Sequence, residues 1–285
     1  SFTENTVTLT APVTSANIIP PGEDVKAGTL LVPKGKILTA SDLALIAGQG
    51  IAEIGVYKKL SIGLISTGSE LLNTGSPLEY GKIYNTNPYL LGGYIQKHHM
   101  TANYLNTVSD DLDSLCRAVL EALKTNDVVI TTGGVSAGDF DYMPEVIRRI
   151  GGDLLFHRLK FKPGGAMLGA FKDGKVILGL SGNPGAAATG LLCVGFPFMR
   201  KLSGRSDITF SQTTAFLGVD FKKSSPVTRI LKGHSDFKNG MLYFTPLSNQ
   251  HNGSVSSMSD CDLLAVIPAG SKPLAAGDKL EVYIL

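Results

Sequence analysis

The rhythm of apolar and polar positions changes twice along the chain. LSIGLISTG, Leu60 to Gly68, is almost continuously apolar and ends in a glycine turn, the pattern of a buried strand. DVVITTGG repeats that pattern near residue 130. Between these runs, SDDLDSLCRAVLEALK sets Leu112, Leu115, Cys116, Val119, Leu120 and Leu123 at i, i+3, i+4, i+7 spacing, which predicts an amphipathic helix. NPYLLGGYIQKHH predicts another, with Asn87 as N-cap, Pro88 at N1 and Leu90, Leu91, Tyr94 and Ile95 on its apolar face. A short strand is expected at about 101–108, and a helix starts near Pro144 and stops at Gly151 and Gly152. AMLGAFKDGKVILGL reads as a hairpin turning at Asp173-Gly174, and SGNPGAAATG opens a long apolar helix with Pro184 near N1. Residues 58–203 thus alternate strand and helix. The expected fold class is α/β, with a central, mainly parallel sheet covered by helices on both faces.

The flanks read differently. Residues 1–57 form a partial β-rich module: TVTLTAPV alternates, a turn-rich stretch follows, and TASDLALIAGQG predicts one short helix capped at Thr39 or Ser41. Residues 204–285 carry strand-like runs (TTAFLGVDF, RILKGHS, MLYFTPL, DLLAVIPAG, KLEVYIL) separated by turn formers, which predicts a small all-β domain.

Composition narrows the function classes. Of 285 residues, 43% are hydrophobic and 18% charged, and the net charge is +2, which with no basic stripe argues against nucleic acid as a partner. The most apolar stretch, Ala186 to Met199, is broken by Gly190, Gly195 and Pro197. It is shorter than the roughly 20 residues that span a bilayer, so no membrane partner is expected. Cys116, Cys193 and Cys261 are odd in number and far apart, which disfavours a disulfide framework or a zinc site and suits a reduced, cytoplasmic setting. Cys116 and Cys193 lie in apolar helical patterns and are expected in the core.

The candidate chemistry lies in the loops that follow apolar strands: STGSEL (Ser66 to Leu71), TTGGVSAGDFDY (Thr131 to Tyr142) and GLSGNPGA (Gly179 to Ala186). In an open α/β sheet such loops share the carboxyl edge, where ligands bind. Thr67, Gly68, Thr132, Gly133, Gly134, Ser136, Gly182, Asn183 and Pro184 would supply hydroxyls, close-approaching backbone and helix N-termini to an anion. Glu70, Asp110, Asp139 and Asp141 lie at or near these strand ends. Carboxylates beside a phosphate site imply a bridging divalent cation such as Mg²⁺. Helix capping alone accounts for Asp111 and Asp113, and for Asp110 in part. Lys160 and Lys162, before a Pro-Gly turn, could face the same ligand or be plain solvated lysines, and His157 is read as structural.

STGSEL, IYNTN, SDD, TTGGVSAGDFDY, KPG and GNP, in this order, resemble the MoeA and gephyrin E-domain family of molybdopterin molybdotransferases. The early PGEDVKAGTLLVPKGKILTASDLALIAGQGIAEIGVYKK and the late NQHNGSVSSMSDCDLLAVIPAG resemble it too, so the likeness spans essentially the whole chain. It implies a MogA-like central domain and a C-terminal domain resembling a β-barrel. It also implies an enzyme that inserts molybdate into adenylylated molybdopterin with release of AMP, with Mg²⁺ and as a homodimer. By motif, Glu70, Asp110 and Asp141 would be the catalytic carboxylates, with Glu70 and Asp141 on the metal, and Asp24 of PGED matches a further acidic position. Thr132, Gly133, Gly134 and Ser136 would form the ligand loop, with Lys162, Gly182, Asn183 and Pro184 from two others.

Departures qualify that implication. Where the family has KPGKP this chain has KPGGA, placing Gly165 at an expected lysine, and where it has LPGNPVS this chain has Ser181 and Ala186 in LSGNPGA. Loss of an ammonium and a hydroxyl near an oxyanion would cost about 1.5–3 kcal/mol each. The alternative is a paralogue that binds the pterin or nucleotide without inserting metal. The family pattern also carries a stretch of roughly a domain before PGED, so this chain is expected to lack the N-terminal module.

Overall fold

The computed structural model describes residues 3–8, 10–11, 18–135 and 142–285. The chain forms two compact units, Ser1–Gly55 and Val56–Leu285. In the first, residues 9, 12 and 13 of the expected strand-like run TVTLTAPV lie outside the described residues, the described ones form no strand beyond a bridge at Val7, and the rest carries turns and one helix, α1 (Ala40–Gly48). Thr39 caps α1 in a reciprocal box with Asp42. The hydrogen bond from Lys36 Nζ (2.6 Å), then those from Thr39, lower the Asp42 carboxyl to about 2.

The second unit is built on a six-stranded sheet. Its strands are β1 (Ser61–Ser66), β4 (Thr101–Tyr104), β5 (Val128–Thr132), β6 (Asp153–His157), β8 (Leu168–Lys172) and β9 (Lys175–Leu180), in the order β4-β1-β5-β9-β8-β6. The first four in that order pair in parallel, and β8 and β6 add antiparallel. A minor parallel pair, β2 (Leu71–Leu72) and β3 (Ile83–Tyr84), follows the β1 loop. β8 and β9 turn at Asp173 and Gly174, whose φ values of 48° and 79° make the hairpin turn that Asp-Gly favours.

Helices cover both faces. α2 (Asn87–Lys97) and α5 (Pro184–Gly190) place Leu91, Ile95, Ala187 and Ala188 against Ile62, Leu64, Ile130 and Leu178. On the other face, α3 (Leu112–Thr125) and α4 (Met143–Arg149) place Leu115, Val119, Val146 and Ile147 against Ile65, Val129 and Ile177. Each Leu, Ile or Val side chain among these contributes about 1.5–3 kcal/mol when fully buried. The α3 periodicity therefore reports its packed face directly, and Asp111 caps the helix through Asp113 N and Ser114 N.

The long apolar helix is not uniform. After α5 a π-helical segment, Leu191–Gly195, intervenes before α6 (Phe196–Leu202). Pro197 has no N–H to give to the Cys193 carbonyl, and the ladder shifts so that Phe196 N donates to Leu191 O. Among the described residues no helix is long and apolar enough to cross a membrane, and all three cysteines are free thiols.

Residues beyond α6 form a closed sheet of β10 (Gln212–Leu217), β11 (Thr228–Lys238), β12 (Met241–Pro246), β13 (Leu263–Ile267) and β14 (Lys279–Ile284). The order is β12-β10-β14-β13-β11, and β12–β11 pairing closes the ring. Leu217, Leu231, Phe244, Ala265 and Val282 fill its interior. A further strand, β7 (Phe161–Lys162), comes from the central region yet pairs with β11 at Thr228 and Arg229.

Candidate functional site

Because β4, β1, β5 and β9 are parallel neighbours, the loops that follow them share one edge of the sheet. The strand ends are stitched together. Thr67 N donates to Thr132 O (2.9 Å), Gly133 N to Leu180 O (3.0 Å) and Val108 N to Ser66 O (2.9 Å). Thr132 Oγ1 meets Ser66 Oγ at 3.2 Å, both nearly fully buried. Thr67, Thr132, Gly133 and Gly182 are therefore brought together. A Cβ on Gly182 would lie 3.6 Å from the Gly133 Cα, and one on Gly133 would overlap the Thr67 hydroxyl. Gly133 and Gly134 have φ of 103° and 66°, a backbone that favours glycine and lets the chain turn tightly there.

Two carboxylates flank the first loop. Asp110 Oδ2 accepts from Ser69 N at 3.3 Å, and Glu70 folds its carboxylate back over Gly68, where a Cβ would lie 2.6 Å from Oε2. Glu70 is exposed and Asp110 half-buried, so neither is a core group. Lys82 Nζ donates to Ser69 O at 2.6 Å and tethers the same turn to β3. Two oxygen donors from separate loops suit a hard cation that completes its shell with water and substrate oxygens. No group of three or more His, Cys, Asp or Glu gathers among the described residues. Ser136, Asp139 and Asp141 lie outside the described residues. Asp24 is exposed in the first unit.

The third loop differs from its sequence reading. Asn183 is the N-cap of α5 and Pro184 is its first residue, as spaced. The N–H groups of Gly185 and Ala186 are not open to an anion, because both donate to Asn252 O in the barrel (2.8 and 3.3 Å). Lys232 lies beneath this contact, fully buried, donating to His251 O and the Ser257 hydroxyl. Burial lowers its pKa. Gln250 accepts from Lys232 N and donates to Lys232 O, fixing the loop from its other end. Lys232 was not singled out by sequence reasoning, since β11 reads only as one more strand, and the NQHNG stretch was noted for its family resemblance without a role. The signal available was a lone lysine inside the apolar run RILKG.

The KPGG turn is also reassigned. Lys162 is exposed on β7, at the barrel rather than on the central sheet. Gly165, expected to stand where an oxyanion-facing lysine belongs, is buried, and a Cβ there would overlap the carbonyl oxygens of Phe161 and Leu159. Gly164 packs on Gly190 N and Ala186 O in the same way, and Ala186 is itself 4% exposed. In this conformation both 165 and 186 are buried among protein atoms.

Asn87, expected to cap α2, begins the helix instead, while Thr86 takes the cap position without a side-chain bond. The Asn87 amide crosses to the third loop, Nδ2 donating to Gly182 O at 2.8 Å. Two residues earlier, Asn85 reaches Thr107 Oγ1 at 3.3 Å, beside the Asp110 loop.

Residues 63–201 match the family model described as a probable molybdopterin binding domain, and residues 214–285 match the MoeA C-terminal region (domain IV). The chain is 34% identical to the molybdopterin molybdenumtransferase of Staphylococcus aureus (strain Mu50 / ATCC 700699) over 99% of its own length and 67% of that protein. It is 35% identical to the Bacillus subtilis (strain 168) molybdopterin molybdenumtransferase over 95% of its length and 63% of that protein. The crystal structure of the MoeA protein of Pyrococcus horikosii superposes with a TM-score of 0.80 at 27% identity, covering 92% of this chain and 64% of that one. The chain thus spans about two thirds of the length of these relatives. With the parallel sheet, its shared loop edge and the closed C-terminal sheet, these matches establish that the chain belongs to the MoeA family of molybdopterin molybdenumtransferases.

Proposed function

We propose that this chain performs the metal-insertion step of molybdenum cofactor assembly: it binds adenylylated molybdopterin, accepts molybdate as co-substrate and releases AMP. The observation that carries the reading is the convergence of Thr67, Thr132, Gly133, Gly134 and Gly182 with Glu70 and Asp110 at the edge shared by β4, β1, β5 and β9. Hydroxyls and tightly turned glycine backbone bind phosphate oxygens, while the carboxylates would repel them unless a cation stands between. Glu70 and Asp110 would hold Mg²⁺, joined by Asp141 from the second loop; the ion would offset phosphate charge at the adenylyl group. Asn183 and Pro184 would shape the third loop, Ser136 would add a hydroxyl to the second, and Lys162, exposed on β7, would supply a cation for an anionic substrate. The protein works as a homodimer in the cytoplasm, a setting its free thiols suit.

The test is AMP release from adenylylated molybdopterin with Mg²⁺, with and without molybdate. Molybdate-dependent release supports the assignment. Tight substrate binding without release turns the assignment to a binding protein. Glu70→Gln and Asp110→Asn each should lower the rate about 100-fold or more and raise the Mg²⁺ needed for half-maximal rate, with the melting temperature unchanged. An unaltered Mg²⁺ titration in both would remove the pair from the metal.

A further inference from the structure

Ser69 is held at both ends by charged side chains. Its N–H donates to Asp110 Oδ2 at 3.3 Å, and its carbonyl accepts from Lys82 Nζ at 2.6 Å. Hydrogen bonds to charged groups are shorter and stronger than neutral ones. Backbone bonds continue the tie along β2 and β3, Ile83 N donating to Glu70 O and Asn85 N to Leu72 O, both at 2.9 Å. Beyond them, the Tyr84 hydroxyl donates to Ser76 O at 2.8 Å.

Lys82 is half-buried, and among the described residues its ammonium forms no ion pair. It grips a carbonyl instead and leaves the nearby carboxylates to other partners. Glu70 follows Ser69 directly, so the gripped carbonyl belongs to the peptide that carries the Glu70 nitrogen. The Glu70 carboxylate folds back over Gly68, where a Cβ would lie 2.6 Å from Oε2. Rotation of the 69–70 peptide would change where that carboxylate stands relative to Asp110, which is itself bonded to Ser69 N.

We propose that Lys82 is a positioning residue for the divalent cation: by fixing the Ser69 carbonyl it sets the Glu70 carboxylate against Asp110. The proposal rests on the reading above that Glu70 and Asp110 hold Mg²⁺. Lys82 acts through the peptide it grips and not on the ion. A purely electrostatic effect has the opposite sign, since an ammonium beside a cation site repels the cation and its removal would tighten binding. A positioning role requires that removal weaken binding, so the direction of the change separates the two.

The experiment is an electron paramagnetic resonance titration of the full chain with Mn²⁺, with Mg²⁺ as competitor. Wild type should bind Mn²⁺ that Mg²⁺ displaces, and Glu70→Gln should lose it. Lys82→Met should raise the Kd for Mn²⁺ about tenfold, the factor that about 1.4 kcal/mol corresponds to, with the melting temperature unchanged. Lys82→Arg, which can still donate to Ser69 O, should bring the Kd back to within about threefold of wild type. Amide hydrogen exchange at Ile83 and Asn85 should stay slow in Lys82→Met, because only the 69–70 peptide is freed. Loss of protection across β2 and β3 would make Lys82 a structural tie and sink the proposal. An unchanged or lower Kd in Lys82→Met, or no recovery in Lys82→Arg, would overturn it while leaving the metal reading in place. No Mn²⁺ bound by wild type would remove both.

Discussion

Thr67 and Gly133 are pressed together so closely that the Thr67 hydroxyl and carbonyl occupy the space a Gly133 Cβ would need, the carbonyl at 2.8 Å from it. Gly133 also has a φ of 103°, so an added side chain meets backbone strain as well as overlap. Gly133→Ala should destabilise the second unit by about 2–3 kcal/mol, read as a lowered denaturation midpoint at constant slope. It should also separate the β1 and β5 loops and weaken phosphate-ligand binding. A wild-type midpoint would mean the loop opens freely at that position.

Gly165 yields a prediction opposite to the one its sequence suggests. Restoring a lysine at KPGG would place its Cβ against the Phe161 and Leu159 carbonyls. Gly165→Lys should therefore lose about 2 kcal/mol or more of stability and gain no molybdate affinity in equilibrium dialysis. A gain at unchanged stability would require the KPGG turn to adopt another conformation when a side chain is present.

Lys232 should act through the loop it holds. Lys232→Met removes the donor to His251 O and Ser257 while keeping most of the buried stem. The expected result is faster amide hydrogen exchange at Gly185 and Ala186, whose N–H groups rely on Asn252 O, with little change at β5. Uniform exchange across the unit would show instead that Lys232 supports the whole fold.

A pH dependence centres on His98. Its ring is packed between Phe196 and Phe210, and Arg200 approaches Nδ1 at 3.2 Å. Burial first, then the Arg200 charge, lowers its pKa from 6.5 to about 4. The folded protein keeps His98 neutral, whereas the unfolded chain takes up a proton below about 6.5. The stability this group contributes is present above 6.5 and is lost as pH falls toward 4. Denaturation series at pH 7.5, 6, 5 and 4.5 should show a steeper loss in wild type than in His98→Gln over that window. Parallel curves would assign the acid sensitivity to other groups.

How far the sequence could be read depended on the range of the interactions. The α3 stripe, the Asp173-Gly174 turn and the strand-end position of Thr67, Thr132 and Gly182 depend on local periodicity and turn chemistry, and all appear where expected. The family motifs named Glu70 and Asp110 as carboxylates of one site, and in the structure both stand beside the Gly68–Ser69 turn. What escaped were contacts that periodicity does not mark: the Lys232 hub, signalled only by a lone lysine in RILKG, the Asn252 carbonyl over α5, and the Gly165 overlap. The Asn252 contact depends on the barrel folding back onto α5, the Lys232 hub on a loop returning across β11 from some 20 residues on, and the Gly165 overlap on the tight course of the turn from Leu159, and no periodicity encodes any of them. The role of Asn87 escaped for another reason. Asparagine before proline at a helix start satisfies the capping rule so well that the competing bond to Gly182 O left no trace in the pattern.

The short strand β7 gives the chain an unusual seam. It belongs in sequence to the central fold and in space to the barrel, where Phe161 and Lys162 run beside Thr228 and Arg229. A scissor placed after Leu202 would not release two self-sufficient pieces. It would strip β7 of its neighbour β11 and the Gly185 and Ala186 amides of their carbonyl. The seam between the central sheet and the barrel is sewn through both fabrics, and the unit from Val56 to Leu285 should melt as one.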